Sequence, residues 1–217
     1  MAAGADRAAG SRGPAVPVRR GRATEGRGAR VRIVGGNHRG RRLAPPLGRD
    51  VRPTSDRTRE SLFNILAHSG WAPDGGSPLE GATALDVFCG TGALGLEALS
   101  RGAAQAVFLD RHRASLDLAR RNAESLGETG RCRFLLGDAT RPPSAPQPCT
   151  LVFLDPPYAQ DLAPQAITAL DRTGWLAPGA VLSVEVGEKD PFPPLPGFEE
   201  LGIRPYSHAR LIFLRRA

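Results

Sequence analysis

Lysine is almost missing from this chain: of 29 basic residues, Lys189 is the one lysine and the others are arginine. Cysteine is sparse too. Cys89, Cys132 and Cys149 are odd in number and widely spaced, which excludes a disulfide framework and matches no zinc-ligand spacing, so buried thiols are expected. The histidines at 38, 68, 112 and 208 are scattered, and no metal is expected. No apolar run approaches a membrane span, and the start of the chain lacks the apolar core of a secretory signal. The expectation is a cytoplasmic protein with no membrane partner.

What is present is a lopsided charge. Residues 1–59 hold 15 arginines against Asp6, Glu25, Asp50 and Asp56, a net of +11; residues 60–217 hold 14 basic and 18 acidic residues, a net of −4. This is the pattern of a basic arm for a polyanion, grafted onto a near-neutral body. Residues 1–30, rich in Ala, Gly, Pro and Arg, are expected to be a disordered extension, and their composition also imitates a mitochondrial transit peptide.

From Val31 the pattern tightens. VRIVGG and GRRLAPP read as the two strands of a hairpin. RPTSDRTRESLFNILAHSG reads as a helix capped by Thr54 or Ser55, apolar at Leu62, Phe63, Ile65 and Leu66, and stopped at Gly70. Residues 31–70 are thus a candidate nucleic-acid-binding appendage, and the Pro/Gly-rich stretch 71–81 marks its boundary with a body at 81–217. In that body the strands ATALDVF, AVFLD, RCRFLLGD, LVFLD and AVLSVEV alternate with helices, and FEELGIRPY with ARLIFLRR closes as a hairpin. Such alternation means an α/β fold, a doubly wound parallel sheet with both faces covered. Apolar runs such as LVFL, without period-two alternation, suit strands buried on both sides.

The first body strand runs into DVFCGTGALGLEAL, where Gly90, Gly92 and Gly95 form a G-x-G-x-x-G at a strand–turn–helix junction. The first glycine allows a tight turn and the second lets the backbone approach a ligand; the helix N-terminus adds free N–H groups. Asp110, 20 residues after Gly90 at the end of the next strand, is placed to accept from ribose hydroxyls. Taken alone, the loop fits a nicotinamide dinucleotide or the adenosyl group of S-adenosyl-L-methionine. Asp86 favours the second, because a carboxylate just before the loop suits a cationic amino group and not a pyrophosphate. Asp138, in LLGDAT, could accept from an adenine amino group. Phe88, Thr91 and Ala139 flank these positions and complete the cofactor set.

VFLDPPYAQ places Asp155 at the end of an apolar strand, followed by Pro156, Pro157 and Tyr158. Each proline holds the residue before it extended and removes an N–H, so strand pairing stops and the carbonyls can face a pocket. A carboxylate, a carbonyl and an aromatic face would suit a planar amino group on a ring; a strand end followed by an ordinary turn is the plainer alternative.

These residues carry a family resemblance. The core resembles the class I S-adenosyl-L-methionine-dependent methyltransferases, and DPPY resembles the motif of those that methylate exocyclic amino groups. RIVGGNHRGRRL, RPTSDRTRESLFNIL and CGTGALGLEALSRGA, in that order, resemble the bacterial 16S ribosomal RNA guanine-N2 methyltransferases over about residues 31 to 215. The Arg-rich extension is not part of that pattern, and Ser207 stands where such proteins tend to have glycine.

The resemblance implies a Rossmann-like, mostly parallel seven-stranded sheet ending in an antiparallel hairpin. It implies S-adenosyl-L-methionine as cofactor, 16S ribosomal RNA or the small ribosomal subunit as partner, and a monomer needing no metal. Asp155 and the Pro156 carbonyl would accept from the guanine 2-amino group and Tyr158 would stack on the base. Arg32, Arg39, Arg41, Arg42, Arg49 and Arg52 would grip phosphates. Three alternatives stand beside this: a DNA amino-methyltransferase, a nicotinamide-dependent oxidoreductase, and a non-enzymatic RNA-binding assembly factor.

Overall fold

A computed structural model describes residue 1 and residues 31–45, 55–157, 161–206 and 208–217. The expectations for residues 2–30, and for Arg49, Arg52, Tyr158 and Ser207, lie outside the described residues. A short antiparallel hairpin pairs β1 (Val31–Arg32) with β2 (Arg42–Leu43), with Val31 opposite Leu43. Helix α1 (Asp56–His68) follows, and the cap is Ser55, whose side chain accepts the Thr58 N–H at 3.1 Å.

The body alternates as its sequence pattern requires. It runs β3 (Thr83–Val87), α2 (Ala93–Ser100), β4 (Gln105–Asp110), α3 (Arg113–Leu126), β5 (Cys132–Leu136), β6 (Cys149–Leu154), α4 (Leu162–Arg172), β7 (Leu176–Gly187), β8 (Phe198–Pro205) and β9 (Ala209–Arg216). Helix α3 stops at Gly127, whose φ of 77° is the left-handed C-cap that a side chain would resist. The seven body strands form one sheet in the order β5-β4-β3-β6-β7-β9-β8. The first five are parallel, and β9 runs antiparallel between β7 and β8. This is the class I methyltransferase fold.

Two apolar layers sandwich the sheet. One side packs under α4 through Ala166, Ile167 and Leu170, with the fully buried Trp175. The other packs under α1, α2 and α3. The hairpin and α1 belong to that second layer: Val31, Ile33, Leu43, Leu62, Phe63 and Leu66 share a cluster with Leu96, Leu99, Phe153 and Phe213. Phe63 meets Phe153 at 5.3 Å between ring centroids, and Trp71, in the 71–81 stretch, meets Phe213 at 5.0 Å. Polar contacts reinforce the seam. Buried Glu97 accepts the Val34 N–H at 2.8 Å and Arg101 Nε at 2.7 Å, and His38 Nε2 lies 2.5 Å from Glu128. The cysteines are unpaired, and burial pushes the Cys149 thiol up to about 12.

Candidate active site

Five neighbouring strands each carry an acid within two residues of their carboxyl end, on one rim. Across the sheet, β5, β4, β3, β6 and β7 lead to Asp138, Asp110, Asp86, Asp155 and Glu185. The chain leaves β3 towards β4 and β5, then returns to the other flank of β3 as β6. Strand order therefore reverses between β3 and β6, where doubly wound sheets hold ligands beyond the strand ends. Val87 pairs with Leu154, so the glycine loop and Asp155 emerge side by side from neighbouring strands.

The loop begins with Phe88 at φ 61°, a left-handed conformation that costs a bulky residue energy and is held here by its surroundings. The Phe88 N–H donates to the Leu109 carbonyl at 2.9 Å. Gly90, at φ 52°, donates its N–H to Asp110 Oδ2 at 3.1 Å, while Asp110 Oδ1 accepts the His112 N–H at 2.8 Å. Asp110 thus holds the glycine loop with one oxygen and the start of α3 with the other, and a carboxylate still has lone pairs left for hydroxyl donors.

The three glycines have different reasons to be glycine. A Cβ on Gly90 would have only the Phe88 carbonyl, at 3.9 Å, within 4 Å among the described residues, so this position faces open space. On Gly92, the N-cap of α2 at φ 75°, a Cβ would come within 3.0 Å of the Ala119 Cβ and 3.1 Å of Phe108. On Gly95 it would lie 2.5 Å from Phe108 Cε1. The space that Gly92 and Gly95 leave is filled by the protein's own α3 and β4. For Gly92 this is a steric reason that stands beside the ligand approach expected from the sequence.

Asp86 is 2% exposed and accepts the Gly95 N–H at 2.9 Å, closing the first turn of α2 from outside the helix. Burial pushes its carboxyl well above the usual range; the Gly95 bond pulls it down, and the charges of Asp155 and Asp110 push it further up. Asp138 lies two residues beyond β5 and is exposed. Its Oδ1 accepts both the N–H and the hydroxyl of Thr140 at 2.8 Å, which lowers its pKa. Ala139 beside it is buried. Asp155 is half-buried, Pro156 buried and Pro157 exposed.

Arg32, Arg39, Arg41 and Arg42 are all exposed on the hairpin. Arg32 Nε pairs with Asp56 at 2.7 Å, and Arg41 donates to the Ser125 carbonyl. Two residues escaped the sequence reading. Asn122 interrupts the apolar stripe of α3 (Leu118, Ala119, Ala123, Leu126), a signal that could have been noticed; it is 2% exposed and bonds both Ala44 and the Thr91 carbonyl of the loop. Glu185, hidden in the apolar strand VLSVEV, is 8% exposed beside Asp155.

This geometry can be compared with known proteins. Residues 31–214 match the family described as Conserved hypothetical protein 95. Ribosomal RNA small subunit methyltransferase D of Escherichia coli strain K12 is 38% identical over 167 residues, covering 76% of this chain and 79% of its own. The Haemophilus influenzae protein of the same name is 35% identical, covering 74% and 80%. The chain belongs to the ribosomal RNA small subunit methyltransferase D family. Solved structures agree: yhhF of Escherichia coli superposes with a TM-score of 0.71 at 34% identity, over 86% of this chain and 98% of its own. HI0767 of Haemophilus influenzae gives 0.67 at 29%, with the same coverage.

The chain is therefore an S-adenosyl-L-methionine-dependent methyltransferase, and the oxidoreductase alternative falls away. The residues present fit that cofactor. Gly90 leaves open space where a Cβ would stand, and acids stand near the strand ends to both sides of β3.

Proposed function

We propose that this methyltransferase moves a methyl group from S-adenosyl-L-methionine to the exocyclic 2-amino group of a guanine in 16S ribosomal RNA, of the guanine-966 type. The supporting observation is the position of Asp155-Pro156-Pro157: it leaves β6 at the sheet's switch point, beside the glycine loop of β3. Asp110 would hold the cofactor's ribose, Asp86 its cationic amino group and Asp138 its adenine amino group, with Phe88, Gly90, Thr91 and Ala139 shaping the cradle. When bound, the cofactor supplies an electrophilic methyl on a good leaving group.

The protein's own task is to orient a poor nucleophile. A guanine 2-amino lone pair is delocalised into the ring. Asp155 and the Pro156 carbonyl accept its two N–H bonds, which localises electron density on nitrogen and aims it, and Asp155 takes the departing proton. Tyr158 stacks on the base, which must swing out of its helix or loop to enter. The hairpin arginines hold phosphates and set the register without reading bases.

The test is transfer of tritiated methyl groups to small-subunit RNA and assembled small subunits, with duplex DNA in parallel. Label in the RNA or the subunit and none in DNA is expected. Label in duplex DNA would replace this reading by the DNA amino-methyltransferase alternative, which shares the D-P-P motif.

A further inference from the structure

We propose that Glu185 selects guanine, by accepting the ring N1–H of the target base beside the Asp155 acceptor for its 2-amino group. This rests on the guanine reading above and supplies what that reading lacks. An acid followed by two prolines grips an amino group on any base; something else must tell guanine from adenine and cytosine.

The register places the two carboxylates together. Leu154 of β6 pairs with Val184 of β7, so one step further along the same parallel pair sets Asp155 beside Glu185. Neighbouring strands lie about 4.8 Å apart. Side chains alternate between faces, and the faces are identified by what they pack against. Leu154, Val184 and Val186 belong to the layer under α4, whereas Phe153 belongs to the layer under α1 and α2. Asp155 and Glu185 therefore share the second face, the one on which Asp86 meets the start of α2. Glu185 is held from both sides, since β9 pairs with it through Leu211. At the rim it also borders, with Pro156 and Pro157, one small cleft that lies against the first turn of α4, Leu162 to Pro164.

The chemistry follows from counting donors. Guanine's pairing edge carries two adjacent donors, the N1–H and the 2-amino group. Adenine and cytosine offer an amino donor next to a bare ring nitrogen, which is an acceptor. An ionised carboxylate is acceptor-only, with about four lone-pair positions on its two oxygens. Two carboxylates side by side therefore complement guanine and set lone pair against lone pair with either other base. A site built to hydrogen-bond one partner rejects an analogue that presents an acceptor at the same place, because two acceptors then face each other across the contact. Accepting from N1–H also pushes electron density into the ring and towards the 2-amino nitrogen, in the direction the transfer requires.

The experiment uses the full chain and an RNA fragment carrying, at the mapped target position, either guanine or 2,6-diaminopurine. The latter keeps the 2-amino group but presents a bare N1. Single-turnover rates are measured at saturating cofactor for wild type and Glu185→Gln, with cofactor affinity and thermal midpoint in parallel. Wild type should prefer guanine. Glu185→Gln, whose amide can donate to a bare N1, should slow guanine roughly 10- to 100-fold, the scale of a hydrogen bond to a charged group. It should slow less, or speed up, on diaminopurine, while cofactor affinity stays unchanged. Equal slowing on both bases would reduce Glu185 to a structural acid and overturn the proposal. So would a wild type indifferent to the two bases, a result that needs no variant to fold. If wild type labels neither RNA, the guanine reading itself fails and this proposal with it; if it labels guanine and the variant keeps the full preference, only the role of Glu185 fails.

Discussion

Asn122 donates from Nδ2 to the Thr91 carbonyl at 2.9 Å, and the same amide accepts the Ala44 N–H at 2.8 Å and donates to the Ala44 carbonyl at 3.3 Å. One buried side chain on α3 thus ties the exit of the hairpin to the glycine loop. Asn122→Ala would leave three backbone groups without that partner, and one unsatisfied buried group costs about 1–3 kcal/mol. The expected outcome is a lower denaturant midpoint together with weaker cofactor binding by calorimetry. A folded variant with wild-type cofactor affinity would contradict the coupling.

The loop glycines should separate by readout. Gly95→Ala drives a Cβ to 2.5 Å from Phe108 and should cost about 1–3 kcal/mol of stability by overpacking. Gly90→Ala meets no such wall, so beyond about 1–2 kcal/mol of backbone strain at φ 52° its effect should fall on cofactor affinity. Thermal melts and calorimetry on both variants decide this; cofactor affinity preserved in Gly90→Ala would mean the cradle is elsewhere.

Asp86 gives a pH signature. Its folded pKa is raised, so its contribution to stability is fully present below the unfolded value of about 3.9 and is lost as pH rises through the folded value. Asp86→Asn keeps an acceptor for the Gly95 N–H and carries no charge. Its stability relative to wild type should therefore improve as pH climbs from about 4 towards neutral, while cofactor binding weakens for want of a partner to the ammonium. A flat stability difference across that range would show that burial does not penalise this carboxylate.

Much of this was legible in the sequence because it is local. Ser55, Gly127 and the apolar strands declare themselves within a few residues, and the acids at 86, 110, 138 and 155 follow from where strands end. What stayed hidden depends on distant partners. That Gly92 and Gly95 make room for Phe108 and Ala119 requires the packing of α2 against β4 and α3. The Pro/Gly composition of 71–81 suggested a boundary, yet Trp71 reaches Phe213 and α1 reaches Phe153 in one shared layer. Nothing local marks Glu185, inside an apolar strand, as a neighbour of Asp155; only the β6–β7 register sets it there.

The hairpin arginines should report through salt. Neutralising Arg39, Arg41 and Arg42 should weaken RNA binding while sparing cofactor affinity. The slope of log affinity against log salt should flatten by about 0.7–0.9 for each phosphate that is no longer gripped. Titrations of a small-subunit RNA fragment across a salt series measure this. An unchanged slope would mean these arginines touch only solvent.

The most direct measurement is nucleotide mapping of 16S ribosomal RNA by mass spectrometry, after reaction with the wild-type chain and with Asp155→Ala. The account predicts one N2-methylguanosine from wild type. From Asp155→Ala it predicts a rate lower by roughly 10²–10⁴, with cofactor affinity nearly intact. A methyl group on a ring nitrogen, a ribose or another base, or wild-type turnover without the Asp155 carboxylate, would contradict it.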